Sequence, residues 1–266
     1  GEAASAARSD DGPTLALAIS CVGRRLVLGQ RIEEETEATL DALPEYDFEV
    51  VCVDDGSTDG TLTGLHAVAA RDPRYVVIGL SRNFGKEAAL TASLDHASSD
   101  AVIPMDADLQ DDPAEIPRLL AKLDEGYDLV SGWKTKRRDP VTRRIPSKIF
   151  NTVAGRVSGV RLHDMNCGLK AYRAEVVEGM QLYGELHRYI PVLAEQRGWR
   201  VTELPVNHRA RRHGRAKFGF ERYARGPFDL LTVLFIGRYQ YRPLHLFGGL
   251  GSVLIFAGLV ISAYLA

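Results

Sequence analysis

Short apolar runs with β-branched content recur along the first half of the chain, at residues 15–22, 48–53, 75–80, 101–105 and 128–131. Helical stretches lie between them, at 32–43, 61–71, 86–96 and 113–125. Strand and helix in alternation predict right-handed βαβ units and a mostly parallel sheet covered on both faces. Ligands meet such sheets at the carboxyl ends of the strands. The polar clusters of this chain do follow its strands. From 162 to 206 the pattern is more mixed, with strands expected at 167–172 and 200–206 around a helix from 187 to 197.

The C-terminal pattern is different in kind. Residues 243–266 contain no Asp, Glu, Lys or Arg, and about 20 such residues cross a bilayer as a helix. Arg238, Tyr239, Tyr241 and Arg242 stand just before this stretch, as suits a cytoplasmic membrane interface. The mostly apolar segment 227–236 is expected to lie flat among lipid headgroups. The expected layout is a disordered tail at 1–12, an α/β catalytic domain at 13–206, a basic interfacial segment at 207–242 and a transmembrane helix at 243–266. No signal-peptide pattern opens the chain.

At 266 residues the chain suffices for one large α/β domain with an appendage. Its 33 basic and 35 acidic residues give no global attraction to nucleic acid. Locally the balance fails: between Asn207 and Arg242 nine Lys or Arg face only Glu221 and Asp229. That segment asks for an anionic partner. Cys21, Cys52 and Cys167 are scattered, which fits a reducing compartment and no disulfide framework.

Three loops carry the candidate chemistry. After the second strand comes Asp54-Asp55-Gly56-Ser57-Thr58-Asp59-Gly60-Thr61. Asp55 there is placed to accept hydrogen bonds from a base or ribose, although a capped strand-to-helix turn uses the same residue types. After the third strand comes Ser81-Arg82-Asn83-Phe84-Gly85-Lys86, in which Arg82, Lys86 and helix-opening amides suit an anion. After the fourth strand comes Asp106-Ala107-Asp108-Leu109-Gln110-Asp111-Asp112-Pro113. Carboxylates two apart in extended chain share a side, so Asp106 and Asp108 can serve one hard cation, with Gln110 adding a neutral oxygen. Mg²⁺ or Mn²⁺, completed by a substrate diphosphate, is the matching ion.

Taken together, VDDGSTDGT, LSRNFGKEAAL, DADLQDDP, CGLKAYR, GELHRYIP and the basic RARRHGRAKFGF resemble family 2 glycosyltransferases of the GT-A fold. The resemblance is to their polyprenyl-phosphate branch, which includes dolichyl-phosphate mannose synthase and bacterial undecaprenyl-phosphate glucosyl and aminoarabinose transferases. It implies a Rossmann-like GT-A domain, followed by interfacial helices and a C-terminal membrane helix. It also implies a nucleotide-sugar donor, UDP-glucose foremost, and a polyprenyl monophosphate acceptor, with homo-oligomers a further possible association. On this resemblance Asp54 and Asp55 serve the nucleotide, Asp106, Asp108 and Gln110 the metal, and Lys86, Arg212 and Lys217 the donor phosphates. His187 and Arg188 face the donor sugar, and Arg137, Arg138 and Arg144 the lipid phosphate. Asp108, Glu185 and Arg209 are the expected catalytic residues.

The acceptor phosphate is already an anionic nucleophile, so inverting attack needs no strong base; Glu185 is the base if one acts. The chain departs from the pattern after its first strand. Relatives carry Pro-Val-Tyr-Asn-Glu there, and this chain carries Cys21-Val22-Gly23-Arg24-Arg25, without the aromatic wall of the nucleotide pocket. Two alternatives follow: a non-catalytic nucleotide- or lipid-binding module, and a membrane-tethered transferase with a saccharide acceptor. No Gly-x-Gly-x-x-Gly follows the first strand, which argues against a nicotinamide dehydrogenase.

Overall fold

A computed structural model of the chain describes residues 14–21, 46–106, 110–135, 151–152, 155–156, 158–160, 162–165, 167–178, 180, 186–207, 231–233, 235–236, 239 and 242–265. Strand β1 (Thr14–Cys21) is followed by β2 (Asp47–Asp54), α1 (Thr61–Ala69), β3 (Tyr75–Gly79), α2 (Lys86–His96) and β4 (Ala101–Asp106). A 3₁₀ turn (Pro113–Glu115) leads into α3 (Ile116–Asp124), then β5 (Leu129–Lys134), β6 (Lys170–Arg173) and the single-turn helix α4 (Ala174–Val177). A second 3₁₀ turn (Leu186–Tyr189), α5 (Ile190–Gln196), β7 (Val201–Val206) and the long helix α6 (Pro243–Leu265) complete the order.

The seven strands form one sheet in the order β3-β2-β1-β4-β6-β5-β7. Only β6 runs against its neighbours, so the expected mostly parallel sheet is found. The chain winds from β1 outward through β2 and β3, then returns to place β4 on the other side of β1. That reversal opens a crevice at the carboxyl ends of β1 and β4. Register sets what stands there: Cys21 pairs with Asp54 of β2, and Ser20 pairs with Asp106 of β4. The two acidic strand ends therefore flank β1, about 10 Å apart at the usual strand spacing.

Alternation along the strands fills both layers. Val50 and Cys52 pack with Leu65 and Val68 of α1, with Ile103 and Met105 of β4, and with α3. Val51 and Val53 point the other way, against Ala89 of α2. Helix α3 presents Ile116, Leu119, Leu120 and Leu123 to the core, the i, i+3, i+4, i+7 stripe of an amphipathic helix. Each of these burials contributes about 1.5–3 kcal/mol. The Asp112 side chain caps the preceding turn by accepting from the Ala114 amide at 3.3 Å.

Three expected elements differ in detail. The helices expected at 113–125 and 187–197 each open as a 3₁₀ turn, and both have proline in the first α-helical turn. The strand expected from Cys167 begins only at Lys170. There the buried Lys170 ammonium donates to the Cys167 carbonyl, which turns the chain before the ladder starts. The expected helix at 32–43 lies outside the described residues, as do segments 136–150 and 208–230.

Helix α6 buries none of its 23 residues, and Leu254, Phe256 and Leu259 are each more than half exposed. At 1.5 Å per residue it is about 35 Å long, enough for a bilayer core of about 30 Å. Residues just before it tie it to the domain. Val233 is fully buried among Leu186, Tyr189 and Ile190, and Phe235 meets Phe247 of α6 with ring centroids 5.8 Å apart.

Candidate active site

The loop after β2 is built as a latch. Asp55 is fully buried and accepts from Asn83 Nδ2 at 2.8 Å, the Phe84 amide at 2.7 Å and the Gly85 amide at 2.9 Å. Its expected partner was a base or ribose; the structure engages it instead with the loop after β3. Gly56 makes the approach of the two loops possible. Its φ is +68°, and a Cβ there would lie 2.4 Å from the Arg82 carbonyl carbon. Asp54 is equally buried but less committed. Its Oδ2 accepts from the Ser57 amide at 3.0 Å, while its Oδ1 has no hydrogen-bond partner among the described residues.

The latched loop fixes the start of α2, and with it Lys86 and Glu87. Lys86 Nζ lies 2.5 Å from Asp106 Oδ1 at the end of β4. It is expected on donor phosphates from the sequence; in this structure it pairs with the Asp106 carboxylate. The other oxygen, Asp106 Oδ2, faces Gly168, as does Asp111 Oδ2; a Cβ on Gly168 would stand 3.5 Å from each. A small cradle with two carboxylate oxygens on its rim thus lies over the turn before β6.

The cradle's electrostatics are balanced by lysines. Desolvation works to raise the partly exposed Asp106 carboxyl, but Lys86, with Lys134 and His187, holds it below the ordinary range. Burial works to lower Lys134 at the end of β5, yet Cys167, Asp111, Asp164 and Asp106 together raise it. Lys170 is lowered by burial, and burial pushes the Cys167 thiol up to about 11, so that thiol is protonated and inert near neutrality.

Behind Lys86, His187 Nδ1 approaches Glu87 Oε1 to 3.0 Å. Burial lowers the His187 imidazole despite that neighbour. Burial works to raise Glu87, but His187 and Lys86 bring its carboxyl below the usual value. Arg188 is buried in the same turn. The root of the basic segment is pinned nearby: Asn207 donates through Nδ2 to Asp112 Oδ2 at 3.1 Å and through its amide to Glu115 Oε1 at 3.0 Å.

Of the residues singled out from sequence, the structure brings together Lys86, Asp106 and His187, and places Asp54 and Asp55 in the neighbouring loop. Gln110 and Arg188 are described, each with a partner of its own. Asp108, Glu185, Arg137, Arg138, Arg144, Arg209, Arg212 and Lys217 lie outside the described residues. Among the described residues no group of three His, Cys, Asp or Glu is arranged to hold a metal. Sequence reasoning missed Glu87, Asp111, Lys134, Asp164, Gly168 and Lys170. Lys134 carried a readable signal, a lone cation ending an apolar strand, as Asp54 and Asp106 end theirs. The others have no local signature, since each matters through what packs against it.

A mostly parallel sheet with acidic strand ends at its switch point, faced by a basic helix start, is the arrangement of a GT-A fold. Residues 19–180 match the Glycosyl transferase family 2 profile, and the chain is a glycosyltransferase belonging to that family. It is 38% identical over 97% of its length to a dodecaprenyl-phosphate galacturonate synthase of Rhizobium johnstonii, spanning 78% of that protein. It is 37% identical over 86% of its length to an undecaprenyl-phosphate 4-deoxy-4-formamido-L-arabinose transferase of Pseudomonas fluorescens, spanning 66% of it. The fold matches glucosyl-3-phosphoglycerate synthase of Mycobacterium tuberculosis, solved with Mn²⁺, UDP-glucose and phosphoglyceric acid. That match has a TM-score of 0.61 at 18% identity, covering 85% of this chain and 80% of the other.

Proposed function

We propose that this chain transfers a sugar, with inversion, from a nucleotide-sugar donor to a polyprenyl monophosphate at the cytoplasmic face of a membrane. The observation that carries this reading is the cradle at the β1–β4 switch point, where Asp106 meets Lys86 beside Gly168 and Asp111. The two polyprenyl-phosphate relatives and the exposed apolar α6 support a lipid acceptor. The proposed layout is a GT-A domain to residue 206, a basic interfacial segment to 242 and a membrane helix beyond it.

Asp54, with its uncommitted buried oxygen, is the better candidate than Asp55 to accept from the nucleotide. Asp106, with Asp108 and Gln110, would hold Mg²⁺ or Mn²⁺, and the cradle over Gly168 leaves room on the Asp106 Oδ2 side. Such an ion, when bound, neutralises charge gathering on the leaving diphosphate. Lys86, Arg209, Arg212 and Lys217 add fixed positive charge to the same leaving group. His187 and Arg188 line the sugar side, and Arg137, Arg138 and Arg144 receive the acceptor phosphate. That phosphate attacks the anomeric carbon as an anion, so Glu185 is not required as its base.

UDP-linked glucose is the sequence-based expectation for the donor, while the relatives' names carry galacturonate and a formamido-arabinose. The test supplies labelled UDP-glucose, UDP-galacturonate and GDP-mannose with undecaprenyl or dolichyl phosphate to the full chain in membranes. Label should enter the organic phase, EDTA should abolish it, and Asp106→Asn should lower its rate by about 10²-fold or more. Donor binding by calorimetry with no organic-phase label from any donor would replace this reading with the non-catalytic one.

A further inference from the structure

The Lys86–Asp106 pair engages the carboxylate proposed above to hold a divalent ion, and three features make Lys86 the cation that can leave. Lys86 and Asp106 side chains are 30% and 37% exposed, so their pairing is screened by water and breaks without opening the core. Lys170, by contrast, is buried and donates to the Cys167 carbonyl. Lys134 stands in the combined field of Asp111, Asp164 and Asp106. Lys86 is also the first residue of α2, at the end of a helix that favours an anion. An ammonium released there stands at the helix end that favours a phosphate.

We infer that Lys86 is an exchangeable counter-cation: it occupies Asp106 until a divalent ion arrives with a nucleoside diphosphate, and then moves from the carboxylate to the diphosphate. This rests on the reading of Asp106 as a metal ligand. Before the donor arrives, among the described residues Lys86, Lys134 and Lys170 already answer Asp106, Asp111 and Asp164. A divalent ion then adds charge the cradle does not need. Once a diphosphate is present its negative charge restores the balance, and Lys86 has a second partner. Metal and nucleotide therefore bind with positive coupling, and the coupling passes through one side chain.

The test is Mn²⁺ titration of the full chain in detergent, followed by the free-ion electron paramagnetic resonance signal. It is run without nucleotide, with UDP, and with inorganic pyrophosphate as a base-free probe. Wild type should bind Mn²⁺ at least about tenfold more tightly with UDP or pyrophosphate than alone, and Mn²⁺ should tighten UDP by the same factor. Lys86→Met and Lys86→Gln should tighten nucleotide-free Mn²⁺ binding by about tenfold and shrink the coupling; Lys86→Arg should behave as wild type. Thermal melts confirm that each variant is folded. Unchanged or weaker nucleotide-free Mn²⁺ binding in both neutral variants, with wild type still binding Mn²⁺ beside UDP, overturns the exchange and leaves the metal reading standing. If wild type binds no Mn²⁺ even with UDP, or Asp106→Asn binds it as well as wild type, both fall.

Discussion

Removing the Asp55 carboxyl strips the amides of Phe84 and Gly85 of their acceptor and leaves Asn83 Nδ2 only the Asp55 backbone carbonyl at 3.2 Å. Unsatisfied donors of this kind cost about 1–3 kcal/mol each. Asp55→Ala should therefore destabilise the domain by about 3 kcal/mol or more, read as a lower denaturant midpoint, whereas Asp54→Ala gives up only the Ser57 amide. His187 supplies a prediction in pH. Its imidazole is lower in the fold than the ordinary 6.5 because it is buried, so the fold favours the neutral form. That stability is fully present above about pH 6.5 and is lost as pH falls through the folded value. Thermal melts of wild type should decline between pH 7 and 5, and His187→Gln should flatten that decline. The further loss at lower pH, where Lys86 above all holds Asp106 ionised, should remain, while the part due to Glu87, which His187 helps to lower, should shrink. An unchanged pH 7–5 slope in the variant would remove His187 as its source. The composition of these residues was plain from sequence, but their occupation was not. An Asp in a polar loop reads the same whether it faces a ligand or ties down the next loop.

At the scale of elements, the strand ends were the legible part. Runs such as 48–53 and 101–105 are apolar because both faces of a parallel strand are buried, and the polar residue ending each run must sit at the open end of the sheet. Helix α3 was legible for a similar reason, because its apolar stripe repeats at helical spacing. What escaped was the turn between Cys167 and Lys170, which looks like strand by composition. Its form depends on the Lys170 ammonium taking the Cys167 carbonyl, a contact with no period to betray it. The same turn places Gly168 against the loop after β4. Gly168→Ala should leave the fold intact, because its Cβ would meet Asp106 Oδ2 and Asp111 Oδ2 at 3.5 Å, an ordinary contact distance. It should nevertheless fill the cradle. The expected result is a melting temperature near that of wild type with Mn²⁺ binding beside UDP weakened about 10–100-fold. Retained Mn²⁺ affinity would show that the cradle is not where the ion sits.

The whole molecule joins a catalytic sheet to a helix that buries none of its residues and leaves most of its apolar surface exposed. Val233 anchors one end of that connection in the core, and the Phe235 ring meets Phe247 at a tilt at the other. The full chain should stay in the membrane pellet after a carbonate wash. A variant ending at Arg242 should be released by high salt, because the basic segment alone holds to anionic headgroups by screened electrostatics. Release of the full chain by salt alone would contradict a spanning α6.

By itself, the sequence determined the alternation of strands and helices, the acidic strand ends, the basic approach and the apolar C-terminal helix. Each of these is a matter of local composition and period, which chain neighbours decide together. Only the tertiary structure decided that Asp55 latches one loop to another, that Lys86 reaches Asp106, and that Gly168 opens a cradle between Asp106 and Asp111. Those partners lie between about 20 and 60 residues apart in the chain. They meet because β4 returns beside β1 and β6 inserts next to β4, and no local pattern records a meeting made by strand order.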